Sequence, residues 1–319
     1  MKKNLLDLSG KIDNQRVDAL WIISQVAISL RIPFFLIGAT ARDMLLAVHN
    51  IQTYRATLDI DIGIKVPDWE KFNKLKKSLV ETGRFTSTKE EQRLKYKDHI
   101  EIDIIPFGAI SDENHNINWP SQETVMNVLG FEEIFRHAQF VRLRSKPVLE
   151  VKLVTLSGLS IMKVFSWKEK YPERKKDATD LFLIIRHYSD AGNFERIPEE
   201  MPDLLNSDDF DYVMAGARLL GRDIAKLLNP TTKKGILDIL EKETGDQDRY
   251  RLIEDMMRSD IGKISDFDSI LGLLEELKSF QDHLPIACTS TGMFLTTGQN
   301  SLPIQIFLRM SPERMRQNP

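Results

Sequence analysis

Residues 58–65, LDIDIGIK, alternate strictly: Leu58, Ile60, Ile62 and Ile64 fall on one side, and Asp59, Asp61, Gly63 and Lys65 on the other. That is the period of a half-buried strand. Asp59 and Asp61 therefore point the same way, with backbones roughly 6.6 Å apart at about 3.3 Å of rise per residue. Both carboxylates can converge on one hard cation. Without a cation, like charges on one strand face repel and cost stability. The plainer reading of the same pattern is a solvated acidic face.

The run in front of the aspartates favours the cation. Phe34 to Ile37 (FFLI) is an apolar strand candidate, Gly38-Ala39-Thr40 is a turn of small residues, and Ala41 to Val48 reads as a helix. A strand, a small turn and a helix N-terminus make an anion site, because unpaired backbone N–H groups and the helix dipole face the turn. Phosphate is the expected guest. Further on, HIEIDII (His99 to Ile105) alternates again, with Glu101 and Asp103 sharing the polar face. A third carboxylate on a neighbouring strand is what two-metal transfer of a nucleotide needs.

The segments IGATARD and DID, each with apolar neighbours, resemble the nucleotidyltransferase superfamily of DNA polymerase beta, and GATARD resembles the GGxxRD of CCA-adding enzymes. From about Phe34 to Tyr188 the chain is similar to bacterial nucleotidyltransferases of the abortive-infection AbiEii/AbiGii toxin type. Ala39 departs from the pattern, standing where Gly or Ser is usual and offering no hydroxyl. The resemblance implies Asp59, Asp61 and Asp103 as catalytic metal ligands, with Mg²⁺ or Mn²⁺ as cofactor and a nucleoside triphosphate as substrate. Asp103 is preferred to Glu101 because IIPFG follows it, as in the family; Glu101 is the alternative.

Other nucleotide-binding candidates are Gly38, Ala39, Thr40, Arg42 and Arg55. Arg55 precedes the aspartate strand and could bind a triphosphate oxygen, or be an exposed loop arginine. Arg42 and Asp43 are read first as a structural pair orienting the glycine turn. Lys163 is a charge in the apolar helical run SGLSIMKVFSW, where a lysine ordinarily snorkels to solvent. The resemblance instead implies phosphate contact for Lys163, and groups it with Arg174, Asp177 and Asp180. The last three share one helix face by their spacing.

Composition sets the frame. The 319 residues carry a net charge of −3 and are 42% hydrophobic and 29% charged, ordinary for a globular protein. That charge balance excludes nucleic-acid binding driven by overall charge and requires a local basic patch for any RNA partner. Arg142, Arg144 and Lys146 alternate along one strand and offer one such patch, or else protect a sheet edge. The single cysteine, Cys288, rules out an internal disulfide, and no Cys/His spacing suits zinc. No apolar run reaches the roughly 20 residues of a membrane span. A cytoplasmic location is expected.

The predicted fold is α/β (α+β): a small mixed β-sheet nucleotidyltransferase core flanked by helices over residues 1–155, then a helical domain over 156–283. An irregular tail covers 284–319. Helices are expected at Asn14–Leu30, Asp68–Gly83, Asp208–Leu228, Lys233–Lys242, Gln247–Met257 and Asp266–His283. Strands are expected at Arg93–Lys97, at Thr124–Ile134 and over Phe140–Val151, the last two with a short helix between them.

The expected activity is transfer of a nucleoside monophosphate from a triphosphate to a hydroxyl, releasing pyrophosphate. If the toxin resemblance extends to function, the acceptor is RNA, such as the tRNA 3′ end, and a cognate antitoxin is a partner. A protein hydroxyl or a small molecule is the other acceptor class. The alternatives are a nucleotide- or partner-binding module without turnover, and acidic strands that merely face water.

Overall fold

In the computed structural model, the residues described are 5–52, 59–121, 124–202, 204–205, 210–245, 250–258 and 265–279. Residues Met1–His283 form one compact unit. The chain runs β1 (Leu6–Asp7), α1 (Asn14–Leu30), β2 (Phe34–Ile37), α2 (Gly38–Val48), β3 (Ile60–Lys65), α3 (Trp69–Glu81), β4 (Phe85–Ser87), β5 (Arg93–Tyr96) and β6 (Ile100–Phe107). It continues with β7 (Asn116–Asn118), β8 (Val125–Asn127), α4 (Phe131–His137), β9 (Gln139–Ser145) and β10 (Val148–Leu153). Helices follow: α5 (Leu156–Glu169), α6 (Lys175–His187), α7 (Arg196–Glu200), α8 (Tyr212–Leu227), α9 (Pro230–Thr244), α10 (Arg251–Met257) and α11 (Phe267–Lys278).

The fold is mixed α/β. Eight strands make one sheet in the order β1-β9-β10-β2-β3-β6-β5-β4, and β7 and β8 pair separately. At its centre β2 runs antiparallel to β3, β3 parallel to β6, and β6 antiparallel to β5. The alternation read in the sequence explains the burial. Ile60, Ile62 and Ile64 of β3, with Ile100, Ile102 and Ile104 of β6, are at most 3% exposed. Each such side chain contributes about 2 kcal/mol of burial. On the opposite side of the same strands lie the acidic residues.

Helix α1 begins where the sequence placed it, with the Asp13 carboxylate accepting from the N–H groups of Gln15 and Arg16, as an N-cap should. Asp68 caps α3 in the same manner. Several expectations are corrected. The turn Gly38-Ala39-Thr40 is itself the first turn of α2, so no separate loop intervenes between strand and helix. The strand expected over Thr124–Ile134 stops at Asn127, because Gly130, at φ +86°, turns the chain into α4. Phe140–Val151 is a hairpin of two strands. Strand β9 is no edge, since β1 pairs with its outer side. Helix α8 starts after its Asp211 cap, and residues 208–209, 247–249 and 280–283 of the expected helices lie outside the described residues. The tail from 284 on and Arg55 lie outside the described residues.

Candidate active site

Asp61 and Asp103 are register partners across the β3–β6 pair, on strands about 4.8 Å apart. Asp59 stands one residue before β3. All three line one cavity of about 770 Å³, together with Gly38 and Ala39 at the start of α2. Glu101 is not among the lining residues and instead pairs with Arg93 and Lys95. Two like charges side by side on neighbouring strands oppose folding, so the sheet holds them against their own electrostatics.

Gly38 explains how helix and carboxylate come so close. Its φ is +73°, and a Cβ there would lie 1.9 Å from the Asp61 Oδ2. Only glycine accepts both the left-handed backbone and that approach. The N-cap position of α2, Ile37, offers no side-chain hydrogen bond, so the first-turn N–H groups are left without the usual cap and with the positive end of the helix dipole behind them. Thr40 does not line this cavity. Its hydroxyl donates to the Asp59 backbone carbonyl and so fixes the residue that leads into β3.

Asp61 makes no hydrogen bond or ion pair to another described side chain. Burial, reinforced by the charge of Asp103 and then Asp59 and opposed by Lys163, pushes its carboxyl up to about 7. An oxygen-only set with such an unpartnered, half-buried acid fits a hard divalent cation such as Mg²⁺ or Mn²⁺. As the side chains stand, however, no group of three His, Cys, Asp or Glu among the described residues is gathered closely enough to hold a metal. Asp103 is itself engaged by an arginine. Arg93 Nε donates to its Oδ1 at 2.7 Å and Nη2 to its Oδ2 at 2.8 Å.

The second cluster comes from α5 and α6. Leu159, Met162, Lys163 and Ser166 line the cavity at helical spacing along α5, and its C-cap Lys170 joins them. Lys163, 8% exposed, donates to Asp177 at 2.7 Å and contacts Asp180 at 2.6 Å. Burial alone would lower its pKa, but Asp180 and Asp177 override that and raise it. Burial would likewise raise the pKa of Asp177, and the charges of Lys163 and Arg174 hold it below the usual range instead. Asp180 also receives Arg42, which is buried and bound to Asp43 as well. Thus Arg42, Lys163, Asp177 and Asp180 are brought together at the cavity wall, but mainly engage one another. Lys163 does not snorkel. Arg174 bonds Asp177 through Nε at 2.8 Å, and its side chain is 47% exposed.

The sequence reading missed Arg93 and the apolar wall of Trp119, Met126, Leu129, Phe131 and Phe165. Alternation in RLKYK showed that Arg93 shares a face with Lys95, but not which strand would pair beside it. Arg142 and Arg144 lie elsewhere: Arg142 binds Glu150 at 2.7 Å, and Arg144 reaches Asp18 and stacks 4.5 Å from the Trp21 ring.

No protein-family model matches the chain, and no curated protein matches it. Similar solved structures include the solution structure of the antibiotic-resistance factor ANT(2'')-Ia, 14% identical, covering 61% of this chain and 96% of that one, with a TM-score of 0.34. The apo form I of a CCA-adding enzyme is 14% identical, covering 86% and 82%, at a TM-score of 0.31. A CCA-adding enzyme in complex with ATP is 15% identical, covering 88% and 69%, also at 0.31. At these identities and TM-scores the likeness carries no argument about activity, and what the cavity can do follows from its own residues.

Proposed function

We propose that the protein is a metal-dependent nucleotidyltransferase that moves a nucleoside monophosphate from a triphosphate to a hydroxyl acceptor and releases pyrophosphate. The observation that carries this is the meeting of Asp59, Asp61 and Asp103 with the uncapped start of α2 in one cavity. Asp59 and Asp61 would hold the cation, and Asp103 would join them. A divalent cation bound there supplies neutralisation of the triphosphate and of the attacking oxygen. The N–H groups at Gly38 and Ala39 would donate to the phosphate tail, and Arg174 offers a half-exposed guanidinium on the same wall. The Lys163–Asp177–Asp180–Arg42 network fixes α5 and α6 against α2, which holds the cavity's shape for in-line attack. Asp103 is the group that would take the proton of the attacking hydroxyl.

We further propose an RNA acceptor, the tRNA 3′ end, with the activity of an AbiEii/AbiGii-type toxin and a cognate antitoxin as partner. The sequence pattern from Phe34 to Tyr188 supports that choice. The test is incubation of total RNA with the protein, Mg²⁺ and each labelled triphosphate in turn, followed by sequencing of extended ends. Nucleotides added at tRNA 3′ ends support the acceptor. Pyrophosphate release only with aminoglycosides or with a protein substrate moves the acceptor to that class. Triphosphate binding without any pyrophosphate release leaves a binding module.

A further inference from the structure

Arg93 of β5 lies opposite Asp103 in the antiparallel register with β6 and grips it with two parallel hydrogen bonds, while Nη1 reaches Glu101 at 2.5 Å. Such fork-on-carboxylate pairs are the strong class of ion pair. This one uses both oxygens of a carboxylate that lines the cavity, and Arg93 lines the cavity too. Its neighbour Asp61, one strand away, has no such partner among the described residues. Of the three acids lining the cavity, Asp103 is thus the one held by a guanidinium among the described residues.

We propose that Arg93 is a positioning residue that competes with the divalent cation for Asp103. It keeps Asp103 turned toward β5 until a cation draws the carboxylate to the Asp59–Asp61 side, and it thereby sets the affinity at which the cation set is completed. This rests on the reading of the cavity as a metal-dependent site. Holding Asp103 by Arg93 also relieves the like-charge contact of Asp61 with Asp103, which gives the folded chain a stable resting state without a cation.

The experiment is Mn²⁺ titration followed by electron paramagnetic resonance, with no nucleotide and no turnover, on the full chain. The variants are Arg93→Lys and Arg93→Gln, alone and combined with Asp103→Asn. Arg93→Lys keeps the charge but cannot donate to both oxygens in parallel. Loss of hydrogen bonds worth about 1.5–3 kcal/mol to a charged group corresponds to roughly 10- to 100-fold, so both single variants should bind Mn²⁺ at least about tenfold more tightly than the wild type. In the Asp103→Asn background Arg93→Lys, which keeps the charge, should change nothing. Equal affinity of Arg93→Lys and wild type, or a gain that survives Asp103→Asn, overturns the competition. Arg93→Lys also guards against a variant that fails to fold. Should Mn²⁺ bind with affinity lost in Asp59→Asn but indifferent to Arg93, only the competition fails. Where no variant shows Mn²⁺ binding that depends on Asp59, the metal site itself fails and the competition with it.

Discussion

Gly38 is the residue on which the geometry turns. A methyl group there would meet Asp61 at a distance no packing allows, and the φ of +73° is strained for any side chain. Gly10, at φ +78°, has the same backbone conformation but open space around it. Alanine at Gly10 should therefore lower stability by about 1–2 kcal/mol from backbone strain alone, and alanine at Gly38 by more, since Asp61 must also move. Only Gly38→Ala should also displace the Asp61 carboxyl and reduce nucleotide incorporation, by at least about 100-fold. Denaturant unfolding of both variants, alongside incorporation of a labelled triphosphate, separates strain from site damage. Full activity in Gly38→Ala would mean that the close approach to Asp61 has no catalytic meaning.

At the scale of elements, α5 and α6 are tied by buried ions rather than by apolar packing alone. Removing one partner of a buried pair leaves the other uncompensated and costs about 3 kcal/mol or more. Asp177→Asn should thus destabilise the chain by that order at neutral pH. Because the folded-state pKa of Asp177 is lowered, its ion pairs contribute fully above the unfolded value of about 3.9. That contribution fades as pH falls through the lower folded value. The gap in melting temperature between wild type and Asp177→Asn should therefore be wide at pH 5–8 and close below about pH 4. A gap independent of pH would show that the carboxylate's charge is not what holds the helices together. The same network shows what was legible beforehand. Period-2 alternation in residues 58–65 and 99–105 revealed both central strands and the shared face of their acids, because side-chain direction follows from local backbone geometry. Asp177 and Asp180 were visible as one helix face for the same reason. The resemblance grouped Lys163 with them, but its ion pairs to both, the reach of Arg42 to Asp180 and the grip of Arg93 on Asp103 were not legible, since each depends on which distant element packs alongside. The short strands β1 and β4, of two and three residues, carry too few residues to show a period at all.

At the scale of the whole molecule, a net charge of −3 coexists with a cavity whose cations are mostly bound by its own anions. Arg42, Arg93 and Lys163 are all committed to carboxylates in the folded chain. Triphosphate alone would meet the acid cluster of Asp59, Asp61 and Asp103, so divalent cation and nucleotide should bind with mutual support, each raising the other's affinity by the same factor. Paired calorimetric titrations, of triphosphate with and without Ca²⁺ and of Ca²⁺ with and without triphosphate, should show that equality. Independent affinities would contradict a shared site. The central claim, that Asp59 and Asp61 hold the cation for nucleotidyl transfer, is tested most directly by the Asp59→Ala plus Asp61→Ala double variant. With the acceptor found for the wild type, Mg²⁺ and a labelled triphosphate, its incorporation should fall to background while its circular dichroism and melting transition stay those of a folded protein. Retained incorporation in the folded double variant would contradict the account.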